Sequence, residues 1–137
     1  MSVQTTELTR EQQQFLDHPF VGVVTTLRSD GSPHSTVVWV EQQAGEVSFN
    51  TATGRAKERH LDADSRLSLT VVDPQDPYRW ISISGHADLT TEDADAQIDR
   101  LAKKYIGKDE YPWRSESEQR IKVRIAPQLV DSSGFDG

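Results

Sequence analysis

Two short segments with strictly alternating apolar residues constrain the fold of this chain more than any other feature. Leu67, Leu69 and Val71 occupy every second position of one segment, and Ile81 and Ile83 do the same in the next. Successive side chains of a β-strand point to opposite faces of the sheet, so a period of two places one face of each strand against a core. The two segments therefore predict strands of a sheet with one buried face.

Four further segments have the composition of strands. Three lie between residues 19 and 51, divided by turn-forming residues around Gly31 and Gly45 at the spacing of hairpins, and one lies near the C-terminus. Residues 74–79 contain two prolines, which cannot donate to a strand ladder, and are expected to form a loop. The six expected strands cover about 19–28, 33–42, 45–51, 66–73, 80–90 and 119–130.

Helical signals lie between and beside these strands. Thr9 followed by Gln12 is a capping-box pattern that predicts a short helix over about 9–17. A weak apolar stripe after Gly54 indicates a short surface helix. The strongest helical pattern covers 92–107, with acidic residues at its start and lysines near its end.

These elements predict a mostly β fold. A meander of six strands leaves exposed edges unless it closes, so we expect a six-stranded antiparallel barrel with two or three peripheral helices. The 137 residues correspond to one domain spanning 1–137. The polar end of the chain, about 132–137, is expected to be a disordered tail.

Composition excludes several classes of protein. Fifteen Lys and Arg against 22 Asp and Glu give a net charge of −7, the wrong sign for a nucleic-acid binder. The chain has no cysteine and only four widely spaced histidines, which argues against a metal site. It shows no apolar signal core and no stretch of membrane-spanning length, so the sequence predicts a soluble, cytoplasmic protein without a membrane partner.

The small share of apolar residues points to self-association. Hydrophobic residues make up 34 % of the chain, below the roughly 45–50 % apolar share, glycine included, of an average domain. A chain of this size gains by sharing a core with a second copy. We therefore expect a homodimer.

One basic cluster stands out in this acidic chain. Arg55, Lys57 and Arg59 fall within five positions of the segment TATGRAKERH, which begins at Thr51. The hydroxyls of Thr51 and Thr53, two of these cations and the backbone N–H groups of a helix start can converge on one phosphate. The alternative is a solvated helix face whose charges pair locally, for example with the neighbouring glutamate.

The order of these segments resembles a known superfamily. SDGSPHSTVVWV, GRAKERHL at 54–61 and the stretch from Asp73-Pro74 to Gly85 are similar to the pyridoxamine 5′-phosphate oxidase-like split barrels, over roughly residues 12–131. Within that superfamily the chain looks most like the actinobacterial branch that uses the deazaflavin coenzyme F-420. His60 stands where many relatives carry Asn.

The resemblance implies a dimer of split barrels with two cofactors in grooves at the subunit interface. Arg55 and Lys57 match positions that hold the cofactor phosphate, with Thr51, Thr53 and Ala56 beside them. A second group of residues, on one strand, matches the wall that meets the ring system of the cofactor. A third group matches a segment that approaches the cofactor site and that can come from the partner subunit. The residues of the wall and of the third group are Ser35, Thr36, Val37 and Val38, and Tyr78, Arg79 and Trp80.

The expected function is that of an oxidoreductase transferring hydride between coenzyme F-420 and a small organic substrate. The same barrel can hold FMN, so an FMN-dependent oxidase or reductase is the main alternative, and a non-enzymatic protein that binds a deazaflavin or another planar ligand is a second. We assign no catalytic residue, because hydride transfer needs positioning and exclusion of water more than an acid–base dyad. The substrate cannot be read from the sequence.

A few single residues carry two interpretations. His34 can donate a proton beside the expected ring wall, or be a surface residue after a turn. Trp39 and Trp80 are more typical of a core or interface than of a ligand contact. Tyr111-Pro112-Trp113 can cover the site or pack against the barrel.

Overall fold

The computed structural model describes residues 6–135 and builds them around one antiparallel sheet. The strands are β1 (Gly22–Leu27), β2 (Pro33–Val38), β3 (Val40–Gln43), β4 (Glu46–Ala52), β5 (Arg66–Asp73), β6 (Asp76–Thr90) and β7 (Arg120–Ser133). The helices are α1 (Arg10–Asp17), α2 (Ala56–Ala63) and α3 (Ala94–Ile106). The sheet curls into a split barrel with the helices outside it, so the expected mostly β class is confirmed.

The order of strands explains the curl. Hydrogen-bonded neighbours follow the order β2-β1-β5-β6-β7-β4-β3, so β2 and β3 are the two edges of the sheet. These edges are also consecutive in the chain, joined only by Trp39. A single residue cannot span a flat sheet of this width. The sheet therefore bends until its two edges meet beside Trp39 and leave a split between them.

Residues 6–135 contain seven strands where six were expected, because the segment 33–42 changes partner in its middle. Val38 pairs with Gly22 on β1, whereas Val40 pairs with Phe49 on β4. Both valines are buried, so the apolar alternation runs through the break without interruption. The sequence pattern consequently looked like one strand.

Two further expectations are corrected at the ends of strands. The expected loop at 74–79 is shorter, because β6 already begins at Asp76, which pairs with Asp73. A register shift after this pair leaves residues 77–79 without partners on β5. The expected tail is wrong for residues 132–135, since β7 continues to Ser133 and Phe135 packs against the core. Residues 136–137 lie outside the described part of the chain.

The helices brace the barrel from outside. The capping box of α1 is confirmed, with the Thr9 side chain accepting from the Gln12 N–H and the Gln12 side chain accepting from the Thr9 N–H. On α3, the Lys104 Nζ donates to the carbonyls of Leu16 at 2.7 Å and Val40 at 2.6 Å. Burial lowers the pKa of Lys104 to about 8. These bonds fix α3 across the start of β3.

The core lies inside the curled sheet. Alternate residues of β4 to β7 face it, and Phe49, Leu69, Ile81 and Val123 are each at most 1 % exposed. Within residues 6–135, no helix is long and apolar enough to cross a membrane.

Candidate functional site

A cavity of about 220 Å³ lies at the split of the barrel, between the edge strand β2 and strand β4. The start of α2, the middle of α3, the segment before β7 and the first residue of β7 complete its wall. The lining residues are Val37, Val38, Trp39, Asn50, Thr51, Arg55, Lys57, Ile98, Leu101, Tyr111, Trp113 and Arg120. Three of them are cations, and no carboxylate residue belongs to the described lining.

The cations on the α2 side lie at the start of this helix, where Arg55 is the N-cap and Lys57 the second helical residue. Gly54 has a φ of +84°, in the left-handed region, and turns the chain so that Arg55 and Lys57 both reach the cavity. Glu58 does not pair with these side chains; its Oε2 accepts from the Gly54 N–H at 3.3 Å. The local ion pair considered as the alternative for this cluster is therefore not formed through Glu58.

Lys57 is half-buried and held in place. Its Nζ donates to the Thr36 Oγ1 at 3.2 Å. Burial, and after it the positive charges of Arg55 and Arg120, lower the pKa of Lys57. Arg55 reaches Glu118 at 3.2 Å, and both of these side chains are partly exposed. An anion bound in the cavity would relieve the repulsion among the three cations.

Thr51 supplies a polar atom without a partner. The residue is 2 % exposed, and its Oγ1 has no hydrogen-bond partner within residues 6–135. Leaving such a hydroxyl unpaired costs free energy, on the order of 1–3 kcal/mol. Because Thr51 lines the cavity beside Arg55 and Lys57, a phosphate oxygen placed there would satisfy the hydroxyl.

The opposite wall is apolar and aromatic. Val37 and Val38 line the cavity from β2, and Trp39 stacks on Tyr105 with ring centroids 5.4 Å apart. Tyr111 meets Trp39 and Trp113 edge-on, at 6.2 and 5.6 Å. The cavity thus combines a cationic side with a wall suited to a planar ring.

Comparison with known proteins identifies the family of this chain. The sequence model of the family described as pyridoxamine 5′-phosphate oxidase matches residues 8–132. The chain belongs to this family. A similar family member is a biliverdin reductase from Mycobacterium tuberculosis that depends on reduced coenzyme F-420, 31 % identical over 131 residues that cover 93 % of this chain and 94 % of the relative.

Solved structures show the same family fold. An F-420 reductase superposes with a TM-score of 0.79 at 24 % identity, covering 90 % of this chain and 98 % of that one. A conserved hypothetical protein from Mycobacterium tuberculosis superposes with a TM-score of 0.73 at 21 % identity, covering 97 % and 89 %. At these identities the superpositions establish the split-barrel fold of the family.

The cavity gathers only part of the cofactor-binding set that the family resemblance implied. Val37, Val38, Thr51, Arg55 and Lys57 line it. Their assignment to a cofactor stays a prediction, because the family match covers the fold and assigns no residue a role.

Four other members of that set lie close to the cavity without lining it. Thr36 holds Lys57, as described above. The Ser35 hydroxyl is 2.8 Å from the Thr25 Oγ1 on the outer face of the sheet. The Thr53 Oγ1 donates to the Gln119 carbonyl at 3.0 Å, and Ala56 is half-buried in α2.

Tyr78, Arg79 and Trp80 lie outside this cavity in the same chain. Tyr78 is 80 % exposed, and the Arg79 guanidinium stacks over the rings of Phe15 and Phe135 at 5.0 and 4.6 Å. Trp80 lines a groove on the outer face of the sheet. An approach of this segment to the cofactor of a partner subunit stays a prediction.

His34 packs against another histidine, and its Nδ1 has no hydrogen-bond partner within residues 6–135. Its ring meets the ring of His60 edge-on at 5.1 Å, and the His60 Nδ1 lies 2.9 Å from the Thr26 Oγ1. Neither histidine lines the cavity. The structure gives His34 no support as a proton donor at this site.

Arg120 and Asn50 are cavity residues that the sequence analysis did not single out. Arg120 opens a strand in which basic residues alternate with Ile121, Val123 and Ile125, a pattern that ordinarily indicates a solvent-facing side. The structure instead covers that side of β7 with α3 and leaves Arg120 6 % exposed. The only signal in the sequence was the excess of cations on one face of an apolar strand.

Proposed function

We propose that this chain is an oxidoreductase that transfers hydride between coenzyme F-420 and a small organic substrate. The relative that shares 31 % identity over nearly the whole chain carries out such a reaction, as its name states. One observation carries the proposal: the cavity joins the apolar edge of β2 to Arg55, Lys57 and the unpaired hydroxyl of Thr51. This is the donor set expected for a phosphate attached to a planar ring.

The α2 side of the cavity would hold the cofactor phosphate. Arg55 presents a planar fork and Lys57 a compact ammonium, and both form charge-assisted hydrogen bonds with phosphate oxygens. Thr36 keeps the Lys57 Nζ in place, and Thr51 would donate its hydroxyl proton. These contacts bind the cofactor equally in ground and transition states, so they set affinity more than turnover.

The β2 side of the cavity would meet the ring. Val37 and Val38 border this side of the cavity, and because β2 is an edge of the sheet, one side of its backbone has no strand partner. When bound, the deazaflavin supplies or accepts the hydride. Trp39 and Tyr111 would shield part of this space from water, whereas Trp113 is 64 % exposed.

A linear tetrapyrrole is the first substrate to test. The Mycobacterium tuberculosis relative is named as acting on biliverdin, a long conjugated molecule with two carboxylates. The aromatic wall can stack against such a molecule.

The deazaflavin can be separated from the flavin by titration. We expect the protein to bind coenzyme F-420 and to prefer it to FMN, measured by the change in cofactor fluorescence. FMN is the relevant competitor because the family match does not distinguish the two cofactors. Tight binding of FMN without binding of coenzyme F-420 would contradict the proposal. High affinity for reduced coenzyme F-420 without turnover of any acceptor would favour the carrier function.

A homodimer is the second part of the proposal. Exposed apolar side chains from neighbouring strands, Val23, Val37, Val72 and Leu129, share the outer face of the sheet with Trp80. Contiguous apolar surface of this kind marks an interaction site. Val37 belongs to both this face and the cavity, so a second copy on the face would border the ligand. The cytoplasmic location inferred from composition stays a prediction.

We expect Val72→Asp to weaken the dimer about tenfold to a hundredfold, because it buries a carboxylate without a partner. Sedimentation velocity at micromolar concentration measures the effect. Ile106→Asp is the matched control, since Ile106 is 38 % exposed at the end of α3, away from this face. A wild-type protein that sediments as a monomer with its fold intact would contradict the proposed dimer.

A further inference from the structure

Arg120 is a buried cation whose guanidinium group is only partly hydrogen-bonded. It lines the cavity from the first position of β7 and is 6 % exposed. Its Nε donates to the Asn50 Oδ1 at 2.8 Å, and its Nη1 reaches the Glu118 carboxylate at 3.4 Å. Within residues 6–135, its Nη2 makes no hydrogen bond. A buried guanidinium with unused donors is a site for an acceptor from a ligand.

A polar network fixes the direction of this guanidinium. The Asn50 Nδ2 donates to the Ala94 carbonyl at 2.9 Å and to the Gln97 Oε1 at 3.0 Å, which turns the Asn50 Oδ1 towards Arg120. Gln97 is itself fully buried, and its Nε2 donates to the Ser48 Oγ at 2.8 Å. The network therefore positions Arg120 before any ligand binds.

Arg120 lies on the opposite face of the sheet from Thr51, one of the proposed phosphate-binding residues. Thr51 pairs with Ile121, so these two side chains share one face and Arg120, the preceding residue, points to the opposite face. Arg120 pairs across the strands with Ala52, and on the same face its Nε donates to the Asn50 Oδ1. The positive charge of Arg120 thus enters the cavity from the α3 side, whereas Lys57 enters from α2.

The surroundings of Arg120 suit a conjugated molecule. Its guanidinium carbon lies 5.3 Å from the centre of the Tyr111 ring, which meets Trp113 and Trp39. Glu118 is shared between Arg120 and Arg55, so one carboxylate stands against two guanidinium groups and Lys57. The three cations of the cavity therefore carry more positive charge than Glu118, which lies beside the lining, can neutralise.

We propose that Arg120, held by Asn50 and beside the Tyr111–Trp113 aromatic wall, is a carboxylate subsite for an acidic conjugated substrate, separate from the phosphate site of Arg55 and Lys57. The substrate assignment rests on the proposed oxidoreductase function. The binding contact itself does not, because it involves only the guanidinium, the aromatic rings and the carboxylate. The fork of Arg120 suits two-point recognition of a carboxylate.

Biliverdin and its dimethyl ester are matched probes for this subsite, since they differ only in the charge of their carboxyl groups. Binding to the full protein is followed by quenching of tryptophan fluorescence and by the absorbance of the pigment. We expect Arg120→Gln to weaken binding of biliverdin about tenfold and to leave binding of the ester unchanged. Arg120→Lys keeps the charge without the fork and is expected to weaken biliverdin binding less.

Arg124→Gln is the control, because it removes one positive charge from the same strand where Arg124 pairs with the exposed Asp88. Its affinity for biliverdin is expected to match that of the wild type. Circular dichroism melts verify that each variant is folded, and if Arg120→Gln is not, Arg120→Lys alone decides.

Three results would overturn the subsite: no binding of biliverdin by the wild type, equal loss for the acid and the ester, or a loss of coenzyme F-420 affinity as large as the loss of biliverdin affinity. The last result would assign Arg120 to the cofactor phosphate. Failure of the wild type to bind coenzyme F-420, with biliverdin binding still dependent on Arg120, would refute the proposed oxidoreductase and leave the subsite intact.

Discussion

Removing both Arg55 and Lys57 is expected to weaken binding of coenzyme F-420 by at least a hundredfold. Each charge-assisted hydrogen bond to phosphate contributes roughly 1.5–3 kcal/mol, so either single alanine variant is expected to lose about tenfold to a hundredfold and the double variant about a thousandfold. Turnover at saturating cofactor is expected to change less, because the phosphate lies far from the reacting ring. Fluorescence titration of the cofactor gives the affinities.

The control for this prediction removes two positive charges elsewhere. Lys103 and Arg124 pair with exposed carboxylates, so the double variant Lys103→Ala/Arg124→Ala has the same net charge as the test variant and an unaltered cavity. Raised salt is expected to weaken cofactor binding by the wild type more than by Arg55→Ala/Lys57→Ala. If the test variant keeps wild-type affinity, the assignment of this cluster to the cofactor phosphate is wrong.

Phe49→Ala is expected to lower the free energy of unfolding by about 3–5 kcal/mol, as large aromatic truncations in well-packed cores do. Phe49 is fully buried inside the barrel, on the strand whose next residues, Asn50 and Thr51, line the cavity. A loss of this size removes a large part of the total stability of a small domain, about 5–15 kcal/mol. Cofactor binding is expected to fall with it, because β4 positions the cavity wall.

Denaturant unfolding at a fixed protein concentration measures this effect, since dimerisation would make stability depend on concentration. Tyr78→Ala is the matched control: it truncates an aromatic side chain that is 80 % exposed. We expect it to change stability by at most about 0.5 kcal/mol. A loss below about 1 kcal/mol for Phe49→Ala would mean that the site repacks more completely than large-to-small core substitutions normally allow.

The features that the sequence predicted well are those encoded by neighbouring residues. The alternation at Leu69 and Ile81 defined strands whose buried faces are as expected, and Thr9 with Gln12 gave the capping box. The basic cluster was also local, and Arg55 and Lys57 do line one cavity. Periodicity, caps and clusters depend on contacts within a few residues, which is why they can be read directly.

The features that were missed depend on contacts between distant residues. The division of the strand at Trp39 follows from a change of partner, from β1 to β4, that leaves the apolar pattern unaltered. Arg120 becomes a cavity residue only because α3 covers its strand and Asn50, seventy positions earlier in the chain, holds its Nε. A sequence pattern records which side of a strand is apolar, but not which polar side another element will cover.

The placement of Trp39 determines how this cavity can vary. One residue joins the two edge strands of the sheet, so at this end of the split the distance between them is fixed by the length of the backbone of that residue. Side-chain substitutions around the cavity can change its charge and the shape of its lining while its span stays constant. At this end of the split the span of the cavity is therefore set by the backbone, and the chemistry of its lining by the side chains.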